Sequence, residues 1–203
     1  MEYLKTFYKS ILAGLFIAIG GTIYLSLDNK IIGALFFSVG LLGICATNQM
    51  LLTGRCCYTI NLLELSTIFC GNTLGAMWGG FMIIVVRPNL VEKANTLYTT
   101  KIAEGWHVVI LGFLCNILIY LAVEGYKSGH VALLIIAVAT FILCGFEHSI
   151  ANIFYFTISD EGLSSSTGLL YLGTNVFGNL LGGFFIQFMN YLIKNEDECK
   201  KLK

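Results

Sequence analysis

The sequence predicts an all-α membrane protein of six transmembrane helices in a 3+3 inverted repeat, with broken second and fifth helices. Three observations predict it. The 203 residues are 57% hydrophobic and only 12% charged, about half the ~25% of soluble domains. Six apolar runs punctuate the chain, and two of them lead into polar sequence at corresponding places. A short glycine-rich pattern also occurs twice. With a mean hydropathy of +0.80, the chain has too little charge to cover a soluble surface and too much apolar side chain to stay disordered. A net charge of zero without a basic stripe excludes nucleic acid as a partner. Glycine is frequent and proline occurs once, which suits helices in close contact rather than helices broken by proline.

The runs lie at about 8–27, 31–47, 67–86, 107–123, 131–146 and 166–193, and a full helical crossing needs about twenty residues. The first follows Lys5 and Lys9 and lacks a small-x-small cleavage site, so it reads as a retained span rather than a signal peptide. The second is short and continues into Asn48-Gln49-Met50-Leu51-Leu52-Thr53-Gly54-Arg55. The third is stopped by Arg87-Pro88, because proline cannot extend a helix. Segment 88–105 is then the longest external connection. The fourth is uninterrupted. The fifth runs into Gly145-Phe146-Glu147-His148-Ser149-Ile150-Ala151-Asn152 and returns to apolar sequence at Ile153. The sixth is long enough to include a tilt or an interfacial end.

Six crossings put both tails on one side with Lys5, Lys9, Arg55, Lys127, Lys194, Lys200, Lys201 and Lys203. Lys30, Arg87, Lys93 and Lys101 fall on the other side. Eight cations against four favour cytoplasmic termini and a multi-pass protein of the cell (inner or plasma) membrane. Gly71-Asn72-Thr73-Leu74-Gly75-Ala76 in run three matches Gly178-Asn179-Leu180-Leu181-Gly182-Gly183 in run six. The copies are separated by an odd number of crossings and therefore point in opposite directions. The expectation is one transmembrane domain, 1–203, with half-repeats at about 8–90 and 105–193. Such folds place a transport path near the midplane, where the broken helices meet. A break is tolerated in lipid only where its backbone lines a water-filled or protein-buried space.

The polar residues at membrane depth carry the chemistry. Glu147 and His148 are costly there and face a bundle interior or a pathway. His148 has two readings: a side chain whose charge follows a permeating proton or anion, or a structural histidine bonded to a carbonyl. Glu147 either joins it or bonds the freed amides of the broken helix. Thr53, at the matching break, either orients the histidine or ends a turn. Asn72, Asn116 and Asn179 are amides in three separate spans, suited to bond across helices and to support the broken segments. Phe37, Leu41 and Phe141 either pack or narrow a pore. Cys45, Cys56, Cys57, Cys70, Cys115, Cys144 and Cys199 read as small core residues. The pair Cys56-Cys57 lacks metal-site spacing, and His107 and His130 do not align with His148, so no metal and no cofactor is expected. GxSxG, Walker A and GxGxxG motifs are absent, so an enzyme is not expected.

These motifs resemble the formate/nitrite transporter family. The octet Gly145–Asn152 is similar to the family signature, and Leu51-Leu52-Thr53-Gly54 to its Leu-Phe-Thr-Gly re-entrant loop. The two Gly-Asn motifs resemble its third and sixth helices, Gly112-Phe113-Leu114-Cys115-Asn116 its fourth, and Ala13-Gly14 with Phe16-Ile17 its first. The resemblance spans about residues 10–190. It implies an aquaporin-like protomer in a homopentamer, each subunit with its own pore in the lipid bilayer, passing protons and small monovalent weak-acid anions such as formate, nitrite or hydrosulfide. It implies that His148 is the central histidine with Thr53 as its partner, Asn116 and Asn179 lining amides, Phe37, Leu41 and Phe141 constrictions, and Lys101 an external cation that concentrates anions. Met50 stands where the family has an acid, Leu52 replaces its phenylalanine, and Arg55 replaces a small or amide residue. A neutral-solute channel of the water or glycerol type is the alternative, although paired Asn-Pro-Ala motifs are absent.

Overall fold

The computed structural model describes the backbone of residues 2–201 and the side chains of residues 2–195; Lys203 of the charge count and the side chains of Cys199, Lys200 and Lys201 lie outside them. The described residues form nine α-helices: α1 Glu2–Ser26, α2 Lys30–Ala46, α3 Leu52–Arg55, α4 Leu62–Val86, α5 Leu90–Ala103, α6 Val108–Lys127, α7 Val131–Leu143, α8 Ser149–Ile158 and α9 Ser166–Lys201. A short 3-10 turn, Gly105–His107, joins α5 to α6.

Local sequence explains the boundaries. Asn29 caps α2 by accepting the amide hydrogens of Ile31 and Ile32, and Asn61 caps α4 by accepting those of Leu63 and Glu64. That second cap extends the third run back to Leu62, five residues earlier than the apolar pattern indicates. Arg87-Pro88 ends α4 as expected. The connection 88–105 contains the helix α5, which the apolar pattern does not mark. The fifth run ends at Leu143, three residues before its apolar pattern does. Gly145 there turns the chain at φ 69°, a conformation that disfavours a side chain.

Helices α1, α2 and α4 pack as one group and α6, α7 and α9 as another, and α2 meets α7 between them. The short helices cross over. α3, from the first half of the chain, sits against α6 and α9, and α8, from the second half, sits against α4. Among the described residues, four stretches are long and apolar enough to cross a membrane by themselves: Glu2–Ser26, Leu62–Val86, Gly105–Lys127 and Ser166–Asn195. α2 has 17 residues and α7 has 13, which reach about 26 and 20 Å, short of the ~30 Å hydrocarbon thickness. Trp78, Phe81 and Val85 face outward, whereas the buried polar side chains, among them Thr53, Asn72, Asn116, Glu147, His148 and Asn179, lie inside.

Glycine permits the closest helix approaches. A Cβ at Gly75 would collide with the Ile11 carbonyl of α1, and one at Gly182 with the Phe113 carbonyl of α6. These are matching positions of the repeated motif. Gly43, by contrast, has only the Phe16 ring beside it, at ordinary contact distance. Gly75→Ala is therefore expected to destabilise the protein by about 1–3 kcal/mol, while Gly43→Ala stays within about 0.5 kcal/mol of wild type. Thermal unfolding of the two variants in detergent checks this.

Candidate functional site

Each break is closed by one asparagine. At residues 47–51, Asn72 of α4 accepts the Leu52 amide hydrogen on Oδ1 at 2.8 Å and donates from Nδ2 to the Met50 and Ser10 carbonyls, both at 2.8 Å. At residues 144–148, Asn179 of α9 accepts the Ser149 amide hydrogen at 2.9 Å and donates to the Glu147 carbonyl at 2.9 Å and the Gly112 carbonyl at 2.8 Å. The pattern is the same in both places. Each amide takes the first N–H of a half-helix, the carbonyl two residues before it, and one carbonyl of a neighbouring long helix. Both asparagines are fully buried. Three bonds per side chain occupy both Nδ2 hydrogens, and neither asparagine lines either of the two cavities beside the breaks.

His148 caps α8. Its Nδ1 accepts the Ala151 amide hydrogen at 3.1 Å, and its Nε2 lies 3.0 Å from Thr53 Oγ1. With Nδ1 occupied as an acceptor, the neutral ring carries its proton on Nε2 and donates it to Thr53. The Thr53 hydroxyl is then left with its own hydrogen to offer onward. The contact joins the two breaks across 95 residues of sequence.

Cavities lie on either side of it. A space of about 60 Å³ is bordered by Phe37, Phe141, His148, Lys101 and Asn152. A larger one of about 360 Å³ is bordered by Leu41, Leu51, Gly54, Arg55 and Lys127. Phe37 and Leu41 are one turn apart on α2, so that helix passes from one cavity to the other at the level of the pair. The Phe141 ring stacks at 5.9 Å on His148 and meets Phe37 edge-on at 6.1 Å.

Lys101, on α5, pairs with the Glu147 carboxylate at 2.6 Å, with side-chain exposures of 15% and 5%. Asn152 Nδ2 donates to the same carboxylate at 2.6 Å and to Asn175 Oδ1 at 2.8 Å, and Asn175 Nδ2 donates to the Glu147 carbonyl at 2.8 Å. Glu147 therefore bonds side chains rather than the freed amides of the break. Asn116 meets Cys56 and Cys57 behind α3 and borders neither cavity. Sequence reasoning alone misses Asn152 and Asn175. Their signal is spacing: Asn152 follows His148 by four residues, and Asn175 precedes Asn179 by four, on the same helix face.

The chain matches the sequence model of the formate/nitrite transporter family over residues 1–193. It belongs to that family. Its family relatives include the formate channel FocA of Escherichia coli (strain K12), 27% identical over 247 aligned residues that cover 94% of this chain and 86% of that one. Formate channel FocB of the same strain is 28% identical over 184 residues, covering 74% and 64%. A solved pentameric formate channel with formate bound superposes with a TM-score of 0.86 at 24% identity, covering 95% of this chain and 98% of that chain. An FNT family ion channel superposes at 0.74 and 21% identity over 95% and 89%. As a formate/nitrite transporter family member the chain is a multi-pass membrane channel protein for anions and not an enzyme.

The buried ion pair yields a stability prediction. Lys101→Met leaves the Glu147 carboxylate without its cation and is expected to cost about 3–5 kcal/mol. Adding Glu147→Gln removes the stranded charge and recovers most of the loss. Unfolding of the single and double variants in detergent measures both values.

Proposed function

We propose that the chain passes small monovalent weak-acid anions, of the size of formate, nitrite or hydrosulfide, and that they cross the narrowest part as the neutral acid. The observation that carries this reading is the Thr53–His148 contact, a hydroxyl and a neutral imidazole set between Phe37, Phe141 and Leu41. The formate channels among the relatives support the substrate class.

The path has three stages. An anion enters the smaller cavity, where the Lys101 ammonium and the Asn152 amide border it. Because Lys101 is paired with Glu147, its attraction is local. Farther in, the walls are aromatic, and a bare anion there forfeits hydration at high cost, while a neutral acid forfeits far less. The low dielectric itself therefore favours uptake of a proton from solvent as the anion leaves the smaller cavity. A second proton on His148 would have to displace the Ala151 amide hydrogen from Nδ1, so the ring acts as a neutral donor through Thr53. Beyond Leu41 the acid reaches the larger cavity and loses its proton.

In this reading α2 with α3, and α7 with α8, are each one interrupted crossing, giving six spans in an inverted repeat of about 8–90 and 105–193. The identical bonding of Asn72 and Asn179 supports it. The count of eight cations against four supports cytoplasmic termini in the cell membrane. The pentameric neighbour supports a homopentamer, in which the outward-facing Trp78, Phe81 and Val85 are shared between lipid and other copies.

Uptake of formate, nitrite and hydrosulfide into proteoliposomes, at two pH values, tests the reading. The rate at fixed total substrate should follow the neutral acid and fall about tenfold per pH unit above that acid's pKa. His148→Ala removes the neutral donor behind Thr53 and should lower uptake and weaken the substrate preference, while the pH dependence set by the acid persists. Unchanged uptake and unchanged range in that variant would sink the role given to the histidine, and glycerol swelling as fast as formate uptake would sink the anion reading.

A further inference from the structure

Helix α3 has only four residues, yet it carries Thr53. In a continued α-helix the Thr53 carbonyl would accept from the Cys57 amide. Here the Cys57 amide turns instead to the Gly54 carbonyl at 3.4 Å. Two thiols take the vacated place: Cys56 Sγ lies 3.4 Å and Cys57 Sγ 3.5 Å from the Thr53 oxygen. Behind them Asn116 of α6 donates from Nδ2 to Cys57 Sγ at 3.2 Å and Cys56 Sγ at 3.5 Å. All three side chains are buried. Gly183 of α9 makes the room, since a Cβ there would strike Cys56 Sγ. Gln187 of α9 fixes the following turn by donating to the Cys56 carbonyl at 2.7 Å and the Thr59 carbonyl at 2.9 Å.

Thiols are weak donors. An amide donating to the same sulfurs polarises their S–H bonds, and the chain of bonds is stronger than its separate members. The tie is to backbone, so it sets where the Thr53 side chain begins and hence its 3.0 Å approach to His148. The counterpart helix α8 has ten residues and supplies its own ladder.

We propose that Cys56, Cys57 and Asn116 are positioning residues for permeation: they hold the Thr53 carbonyl and thereby set its hydroxyl against His148. The proposal rests on the reading of the Thr53–His148 contact as the passage. It gives two adjacent cysteines, which composition treats as small core residues, a part in transport. It also places Asn116 behind the half-helix instead of on the pore wall.

Formate uptake into proteoliposomes, run as a set of mutant cycles, tests it. Cys56→Ala with Cys57→Ala leaves the carbonyl without a donor and should lower uptake about tenfold. Cys56→Ser with Cys57→Ser restores two donors and should recover most of that loss. In a Thr53→Ala background the alanine pair should add no more than about a twofold loss, because the hydroxyl it positions is gone; in a Leu41→Ala background the full effect should persist. Gly183→Ala, which pushes on Cys56 without removing a hydrogen-bonding group, should show the same dependence on Thr53. Equal losses in every background would overturn the positioning role and leave the passage standing. Wild-type uptake by Thr53→Ala would overturn the passage and this proposal together.

Discussion

Unwound backbone inside a membrane has to find hydrogen-bond partners within the protein, and the rest of the structure depends on that constraint. An unpaired N–H or C=O in hydrocarbon costs several kcal/mol, and both breaks expose such groups. One buried asparagine at each break satisfies two of them and with its third bond ties the loop to a long helix, at Ser10 in the first case and Gly112 in the second. The glycines beside these asparagines are part of the same solution. Gly75 and Gly182 let α4 approach α1, and α9 approach α6, closely enough for the amides to reach across. The glycine motif and the asparagine are thus one device, used twice.

Closing the breaks in this way determines the chemistry at the centre. The half-helices α3 and α8 begin at Leu52 and Ser149, and their first amides are taken by Asn72 and Asn179. A further amide of α8, at Ala151, is taken by His148 Nδ1, which leaves the ring's only proton on the side facing Thr53. The tautomer of the central histidine therefore follows from its position as a helix cap. A hydrogen-bond donor, without a formal charge, is what the geometry presents at the narrow point.

Much of this is legible in the sequence. The apolar runs, the two polar interruptions and the repeated Gly-Asn motif indicate the helices and locate the breaks, because each is a local consequence of chain composition. The pairing of Thr53 with His148 is legible from the matching positions of the interruptions. What escapes a sequence reading depends on contacts between distant segments. α5, with Glu92, Lys93, Asn95, Lys101 and three threonines among its fourteen residues, is too polar to register as an apolar run, so the ion pair it brings to Glu147 is invisible without the fold. Asn152 and Asn175 gain significance only once α8 and α9 lie side by side. Asn116, assigned to the pore wall by resemblance, turns toward Cys56 and Cys57 because the one-turn α3 leaves a carbonyl to be held there.

The distribution of charge around the two cavities bears on how such a passage discriminates. Lys101 borders the smaller cavity, and Arg55 and Lys127 border the larger one. Each has a carboxylate partner, Glu147 at 2.6 Å, Glu64 at 2.7 Å and Glu124 at 2.9 Å. Neither cavity is therefore edged by an uncompensated cation among the described residues. A ring of free cations would hold an anion strongly at the mouth and slow its departure, since conduction needs binding weak enough to release. Compensated pairs leave dipoles that orient an ion without trapping it. Discrimination then falls to the aromatic walls between the cavities, where what matters is the cost of shedding water and charge. The sparse charge of the chain and its neutral central pair are two aspects of the same arrangement: attraction is kept short-ranged at both mouths so that desolvation at the centre sets what passes.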